Sequence, residues 1–176
     1  MKRILFNDYF GLTKAVLERN KTMTRRAVPQ RVIDDAIAAQ SHGIDYMDYI
    51  LVNAQYKVGE EVAIAQAYKD LPIASKMIPF PVSAGWNNKM FVKAEYMPHR
   101  IRITDVRVEH LQDITESECM YEGIEYTCGG KFNVGDRIIG FNSRKAAFAR
   151  LIDKLSGKGT WDSNPLVYAY TFTLVC

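Results

Sequence analysis

Residues 100–109 read Arg-Ile-Arg-Ile-Thr-Asp-Val-Arg-Val-Glu, an alternation of apolar and polar residues whose phase changes half-way. Ile101 and Ile103 share one parity, and Val106 and Val108 share the other. Strand side chains alternate faces with a period of two, so an uninterrupted strand would send one of these pairs to solvent. A β-bulge or sharp bend at Thr104-Asp105 returns both pairs to one face, and small barrels use bulges in this way. This slip points to a bent, mostly antiparallel sheet with its core on one side.

The rest of the chain supplies partners for that strand. Residues 2–7 and 22–28 read as short strands, with Leu12, Ala15 and Val16 at helical spacing between them and Asn20 as a helix stop. Residues 32–40 read as a helix with Ile33, Ala36 and Ile37 on one side, and 44–56 as a weaker one. Val58-Gly59-Glu60 turns into a strand over 61–68, and Val134-Gly135-Asp136 repeats the device before the apolar run 138–141. Residues 71–89, with Pro72, Pro79 and Pro81 and little periodicity, read as a lid, a binding loop or a mobile insertion. Thr115 caps a short helix, Glu118 closes its capping box, Ile114 staples against Cys119, and Gly123 ends it. Ser143 caps the best helix, which carries Phe148, Leu151, Ile152 and Leu155 at i, i+3, i+4, i+7. The chain closes with a turn, Trp161-Asp162-Ser163-Asn164-Pro165, and a strand showing Tyr168, Tyr170, Phe172 and Leu174 on one face. No βαβ alternation, G-x-G-x-x-G or P-loop motif occurs, so the expected fold is α+β: one domain over 1–176, a small bulged barrel with helices packed outside.

Composition narrows the class. With 48% hydrophobic residues among 176, the chain can bury a core without staples. A net charge of +3 does not announce nucleic-acid binding, so any basic footprint must be local. Cys119, Cys128 and Cys176 are odd in number and far apart, which argues for free thiols in a reducing, cytoplasmic setting. No run of about 18 apolar residues is present, so no spanning helix is expected. His42, His99 and His110 lack metal-ligand spacing, and neither a metal nor a cofactor is expected.

Two stretches carry chemistry. Arg19, Lys21, Arg25, Arg26 and Arg31 put five basic residues in one acid-free segment that also holds Thr22 and Thr24. Such a group can contact phosphates, or it can be a solvated, charge-protected strand edge. Glu122, in the last turn of the Thr115-capped helix, opposes the negative end of the helix dipole, which costs roughly a few tenths of a kcal/mol. A residue placed against a local rule points to function, though an exposed glutamate is the alternative. Arg100 can extend the basic face or be solvated. Trp86, in the proline-bearing loop, and Trp161 are candidates for stacking a base; Trp161 reads equally as a packed corner.

Taken in order, these stretches resemble the ASCH domain family of the PUA-like superfamily. The likeness runs from Phe6 into Lys21-Thr22-Met23-Thr24-Arg25-Arg26, through 56–62, 97–101 and 103–115, to Glu122-Gly123-Ile124, Trp161–Pro165 and the final strand. It is similar to the members found in phages and prophages of bacteria. The resemblance implies a PUA-like barrel with a cleft beside the Lys-Thr-x-Thr segment, and a link to RNA. Some small members look like amidohydrolases of N4-acylated cytidine that use a Lys, a Thr three residues on and a Glu on a later helix. Those positions fall here on Lys21, Thr24 and Glu122, while segments near 30–53 and 71–89 are inserts. On a regular strand Lys21 and Thr24 point to opposite faces, so they converge only if Lys21 lies in the turn before it.

Three functions follow as expectations. The first is a basic cleft that binds RNA or a modified nucleobase, with Lys21, Arg25 and Arg26 giving the electrostatics. The second is amide hydrolysis on a modified pyrimidine nucleoside. The third is a phage-type accessory protein that docks a host partner, marked by an apolar surface patch away from the basic segment.

Overall fold

In the computed structural model of the chain, residues 1–72, 83–127 and 129–175 are described. Most of the 71–89 segment, together with Cys128 and Cys176, lies outside them. The elements follow in the order β1 (Arg3–Ile4), α1 (Leu12–Leu17), β2 (Met23–Ala27), α2 (Gln30–Gln40), α3 (Tyr46–Val52) and β3 (Glu61–Ile64). Then come β4 (Arg100–His110), α4 (Glu116–Tyr121), β5 (Glu125–Tyr126), β6 (Phe132–Val134), β7 (Ile138–Phe141), α5 (Arg144–Ser156), α6 (Thr160–Ser163) and β8 (Leu166–Val175). Five strands make a mixed sheet in the order β1-β3-β4-β8-β2, and β5-β6-β7 make a second, antiparallel one. Only β1 and β3 run parallel in the larger sheet. The architecture is α+β.

The phase slip in β4 is a bulge. Ile103 pairs with Phe172 and Asp105 with the adjacent Thr171, so Thr104 is the extra residue on its strand. Before it Ile101 and Ile103 are buried; after it Val106 and Val108 pack against the same core. Strand β8 lies between β4 and β2, and both of its faces are covered in the first half: Val167, Tyr168, Ala169 and Tyr170 are all buried.

No closed barrel forms among the described residues, because no backbone pairing joins the sheet edges β1 and β2. Side-chain donors take up the free carbonyls of the β1 segment instead. The carbonyls of Lys2 and Ile4 accept from the amides of Ala63, in β3, and Ala65, just past its end. Those of Arg3 and Leu5, which alternate with them, accept from the Tyr56 hydroxyl at 2.9 Å and Arg26 Nη2 at 2.6 Å. Arg26 sits on β2, so a guanidinium takes the place a ladder would occupy; a two-residue edge strand is too short to supply one.

Residues 30–53 form a helical pair, α2 and α3, seated on the main core by Ala36 and Ile50, with the Tyr168 hydroxyl donating to Ile50 O at 3.0 Å. Its expected apolar side is corrected at Ile37, which is 58% exposed while Ala36 and Ala39 face inward; Ile44 and Val52 are exposed as well. The 61–68 strand ends at Ile64, and Tyr68–Asp70 form a single 3-10 turn. The Ser143 cap and the Thr115–Glu118 capping box both form. Leu155, at the end of α5, is 38% exposed, so the expected stripe ends at Ile152.

Candidate active site

The chain reverses sharply after α1. Arg19 takes a left-handed φ of 64°, and the amides of Asn20 and Lys21 both donate to Ala15 O, at 2.8 and 3.0 Å. Lys21 therefore lies in the turn ahead of β2, which is the condition for it to share a wall with Thr24. The next amide, of Thr22, donates to Tyr121 O at 2.9 Å and ties this turn to the end of α4. Glu122 is the residue that follows α4, and Gly123 then turns with φ +95°. A β-carbon on Gly123 would lie at ordinary contact distance, 3.5 Å from Leu12 and 3.7 Å from Lys21, so it is the left-handed φ that calls for glycine here.

These turns place two buried charges in contact. Lys21 Nζ donates to Glu122 Oε2 at 2.6 Å and to Glu122 O at 2.9 Å, although 101 residues separate the two. Lys21 is 2% exposed and Glu122 3%. The second carboxylate oxygen, Oε1, accepts from Arg25 Nη1 at 3.2 Å. Arg25, with a fully covered side chain, also bonds Glu109 Oε1 through Nε at 2.8 Å and Glu118 Oε2 through Nη2 at 3.0 Å. Arg107 closes the outer side, its Nη2 2.5 Å from Glu118 Oε1 and its Nη1 3.5 Å from Glu109 Oε2. Two acids four apart on one helix face, Glu118 and Glu122, are the sequence signal for this cluster; Glu109 and Arg107 come from β4 and carried none.

Burial holds the Lys21 ammonium below its ordinary range. Glu122 opposes that by charge and by hydrogen bond, and Arg26 and Arg25 add to the lowering. Glu118 is held below the usual carboxylate range: burial raises it, and the Thr115 amide, Arg107 and Arg25 together outweigh burial. Cys119, on the inner side of α4, has its thiol pushed up to about 12 by burial.

Lys21, Thr24, Arg26 and Glu122 line one cavity of about 400 Å³. The rest of its lining is largely apolar, with Phe6 and Leu12 and, from α5, Phe148, Leu151 and Ile152. The Lys21 ammonium stands 5.9 Å from the centre of the Phe6 ring. Thr24 and Arg26 share a parity on β2, which puts both on the cavity side. Small-molecule sites commonly combine this size with apolar walls and a few convergent polar groups.

No family model, no curated protein and no solved structure matches the chain. The site is read from its own residues.

The remaining sequence candidates divide. Arg25 is not a phosphate contact: three carboxylates surround its guanidinium, which leaves no net positive charge to offer. Thr22 is engaged through its backbone, with Phe172 N donating to Thr22 O at 2.9 Å, and does not line the cavity. Arg100 sits at the start of the central strand β4, paired on both sides, with its guanidinium 3.7 Å from Glu61 and away from the cavity lining. Trp86 packs against the small apolar cluster of Ala63, Ala65, Tyr68 and Leu71, and Trp161 packs edge-on to Phe148 with ring centres 6.1 Å apart. Neither tryptophan lines the cavity, and Trp161 takes the packed-corner alternative. Sequence reasoning gave no role to Gln55 or to the α5 wall, both of which line it. Among the described residues no group of three or more His, Cys, Asp or Glu is arranged to hold a metal ion, and no helix is long and apolar enough to cross a membrane.

Proposed function

We propose that this cavity is the active site of an amidohydrolase that cleaves an N4-acylated cytidine-type nucleoside, the chemistry implied by the resemblance to ASCH proteins. The observation that carries it is the buried Lys21–Glu122 pair, 2.6 Å apart, on the wall that also holds Thr24. The five-stranded sheet, bulged at Thr104 and with Arg26 reaching from the β2 edge to the segment that follows β1, is read as a PUA-like barrel closed by side chains.

The chemistry uses groups already in place. Lys21 in its neutral form, which burial favours, takes the proton of the Thr24 hydroxyl. Thr24 Oγ1 bonds the acyl carbon, and the carbonyl electron pair moves onto its oxygen. When that pair returns, the bond to N4 breaks, and the departing nitrogen receives the proton held between Lys21 and Glu122. A water molecule then attacks the acyl carbon of the Thr24 ester and gives a proton to the same pair; the bond to Thr24 Oγ1 breaks, that oxygen takes the proton back, and the carboxylic acid leaves. The balance is one amide and one water consumed, one amine and one acid formed. The base rests against the Phe6 and Phe148 side of the cavity.

Incubation with N4-acetylcytidine, following release of cytidine, tests the reading. Turnover is expected for the wild type, with losses of about 100-fold or more for Lys21→Ala, Thr24→Val and Glu122→Gln. No turnover, or turnover unchanged by Lys21→Ala, rejects it.

A second reading, a cleft that holds a nucleobase or RNA without turning it over, draws on one observation. Two of the three Lys21 donors are committed to Glu122, and among the described residues no hydrogen bond joins the Thr24 hydroxyl to either partner. It is recognised by tight cytidine binding without hydrolysis of the acetylated form.

A further inference from the structure

We propose that the nucleoside cavity continues past Leu5 and Gln55 into a phosphate subsite anchored by Arg3 and Lys93, so that the protein takes a nucleotide in preference to the bare nucleoside. This rests on the nucleoside reading of the cavity.

A second cavity, of about 610 Å³, adjoins the first, and Leu5 and Gln55 line both. Its charged lining is Lys2, Arg3 and Lys93 against Glu95. What these cations touch decides which are available. Lys2 pairs with Glu60 at 3.0 Å and donates to Gln55 O. Lys93 has a long contact, 3.9 Å, to Glu95 and stands 5.6 Å from the centre of the Tyr96 ring, with no closer carboxylate among the described residues. Arg3 is held by a neutral acceptor, Met90 O at 2.7 Å from Nη2, and no carboxylate pairs with it among the described residues.

Arg26 repeats that arrangement on the other side of Leu5, with its Nη2 on Leu5 O. Two guanidiniums are thus positioned by backbone carbonyls, one facing each cavity, and both keep their charge and most of their donors. Arg25, adjacent to Arg26 in sequence, shows the opposite case, with carboxylates on three sides. A planar guanidinium fixed by a neutral partner is suited to the oxygens of a phosphate, and Lys93 adds a second positive charge to the same cavity lining. A pyrimidine against Lys21 and Thr24 with its ribose at Gln55 directs a 5′-phosphate across the shared wall into this cationic space. The phosphate belongs either to a free nucleotide or to the backbone of an RNA strand.

The test is binding rather than turnover, using ligands that carry no acyl group. Calorimetric titration compares cytidine, cytidine 5′-monophosphate and a dinucleotide with an internal phosphodiester 5′ of cytidine. The monophosphate is expected to bind about tenfold more tightly than cytidine at low ionic strength, with the gap shrinking as salt is added. The double variant Arg3→Gln/Lys93→Gln should close the gap without changing cytidine affinity, while Arg31→Gln, which removes a charge from the exposed face of α2, should leave it. The same gain with the dinucleotide alone supports the subsite and assigns it to an RNA backbone. Equal affinities for cytidine and the phosphorylated ligands, or a gap that survives the double variant, overturns the subsite and leaves the nucleoside cavity standing. Failure of all three ligands to bind overturns both.

Discussion

The Lys21 ammonium and the Glu122 carboxylate lie 2.6 Å apart and almost wholly out of water, with Arg25 on the other carboxylate oxygen. Removing one member of a buried ion pair strands the other, at a cost of about 3–5 kcal/mol. Lys21→Met and Glu122→Gln should each destabilise by roughly that amount in urea unfolding, and the double variant by clearly less than the sum of the two. Strict additivity in the double-mutant cycle would mean that the two groups do not interact.

Lys21 also gives the protein a pH dependence. Its folded value is below the ordinary 10.5, chiefly through burial, so the unfolded chain binds more protons than the folded one between the two values. Stability from this group therefore rises with pH across that window, because the cost of burying the ammonium is present below the folded value and relieved above 10.5. Catalysis has the same sign. The kcat/KM for N4-acetylcytidine should climb with pH and level off below 10.5, and the stability slope in that window should be absent in Lys21→Met.

Thr115 supports the cluster from outside. Its hydroxyl caps α4, and Glu118 returns a carboxylate to the Thr115 amide while also holding Arg25 and Arg107. Thr115→Ala should cost about 1 kcal/mol as a lost cap. Glu118, held below 4.5, contributes stability that is present above that pH and lost as the pH falls through its folded value. Arg107→Gln, which takes a charge and a side-chain hydrogen bond from Glu118, should therefore show a smaller loss between neutral and acid pH than the wild type, measured by denaturation at several pH values.

Much of this was legible before any coordinates. The parity change at Thr104 located the bulge because β periodicity is strict, and the Thr115–Glu118 spacing located the start of α4. The turn that lets Lys21 meet the Thr24 wall was stated only as a condition, because Arg19 taking a left-handed φ of 64° is not written in its side chain. Barrel closure was misjudged because it depends on β1 being two residues long and on two side chains, Arg26 and Tyr56, reaching its free carbonyls. Arg25 was grouped with Arg26 because the two are neighbours in sequence. Their opposite roles depend on Glu109, Glu118 and Glu122, which arrive from β4 and α4 between 84 and 97 residues later.

Cys119 tests the packing of α4 from the inside. Its thiol is buried and held at about 12, so the thiolate that alkylating reagents need is scarce at neutral pH. Iodoacetamide at pH 8 should leave Cys119 unmodified in the native protein and modify it fully in denaturant, as read by peptide mass mapping. Rapid native labelling would mean that α4 opens readily, and the Glu122 site with it.

The most direct measurement is the mass of the intact protein during reaction with N4-acetylcytidine, with the reaction quenched in acid. Added mass equal to one acetyl group, located on Thr24, absent in Thr24→Val and lost with time as cytidine accumulates, is the expected result. Unmodified Thr24 together with intact N4-acetylcytidine would contradict a Lys21–Thr24–Glu122 amidohydrolase.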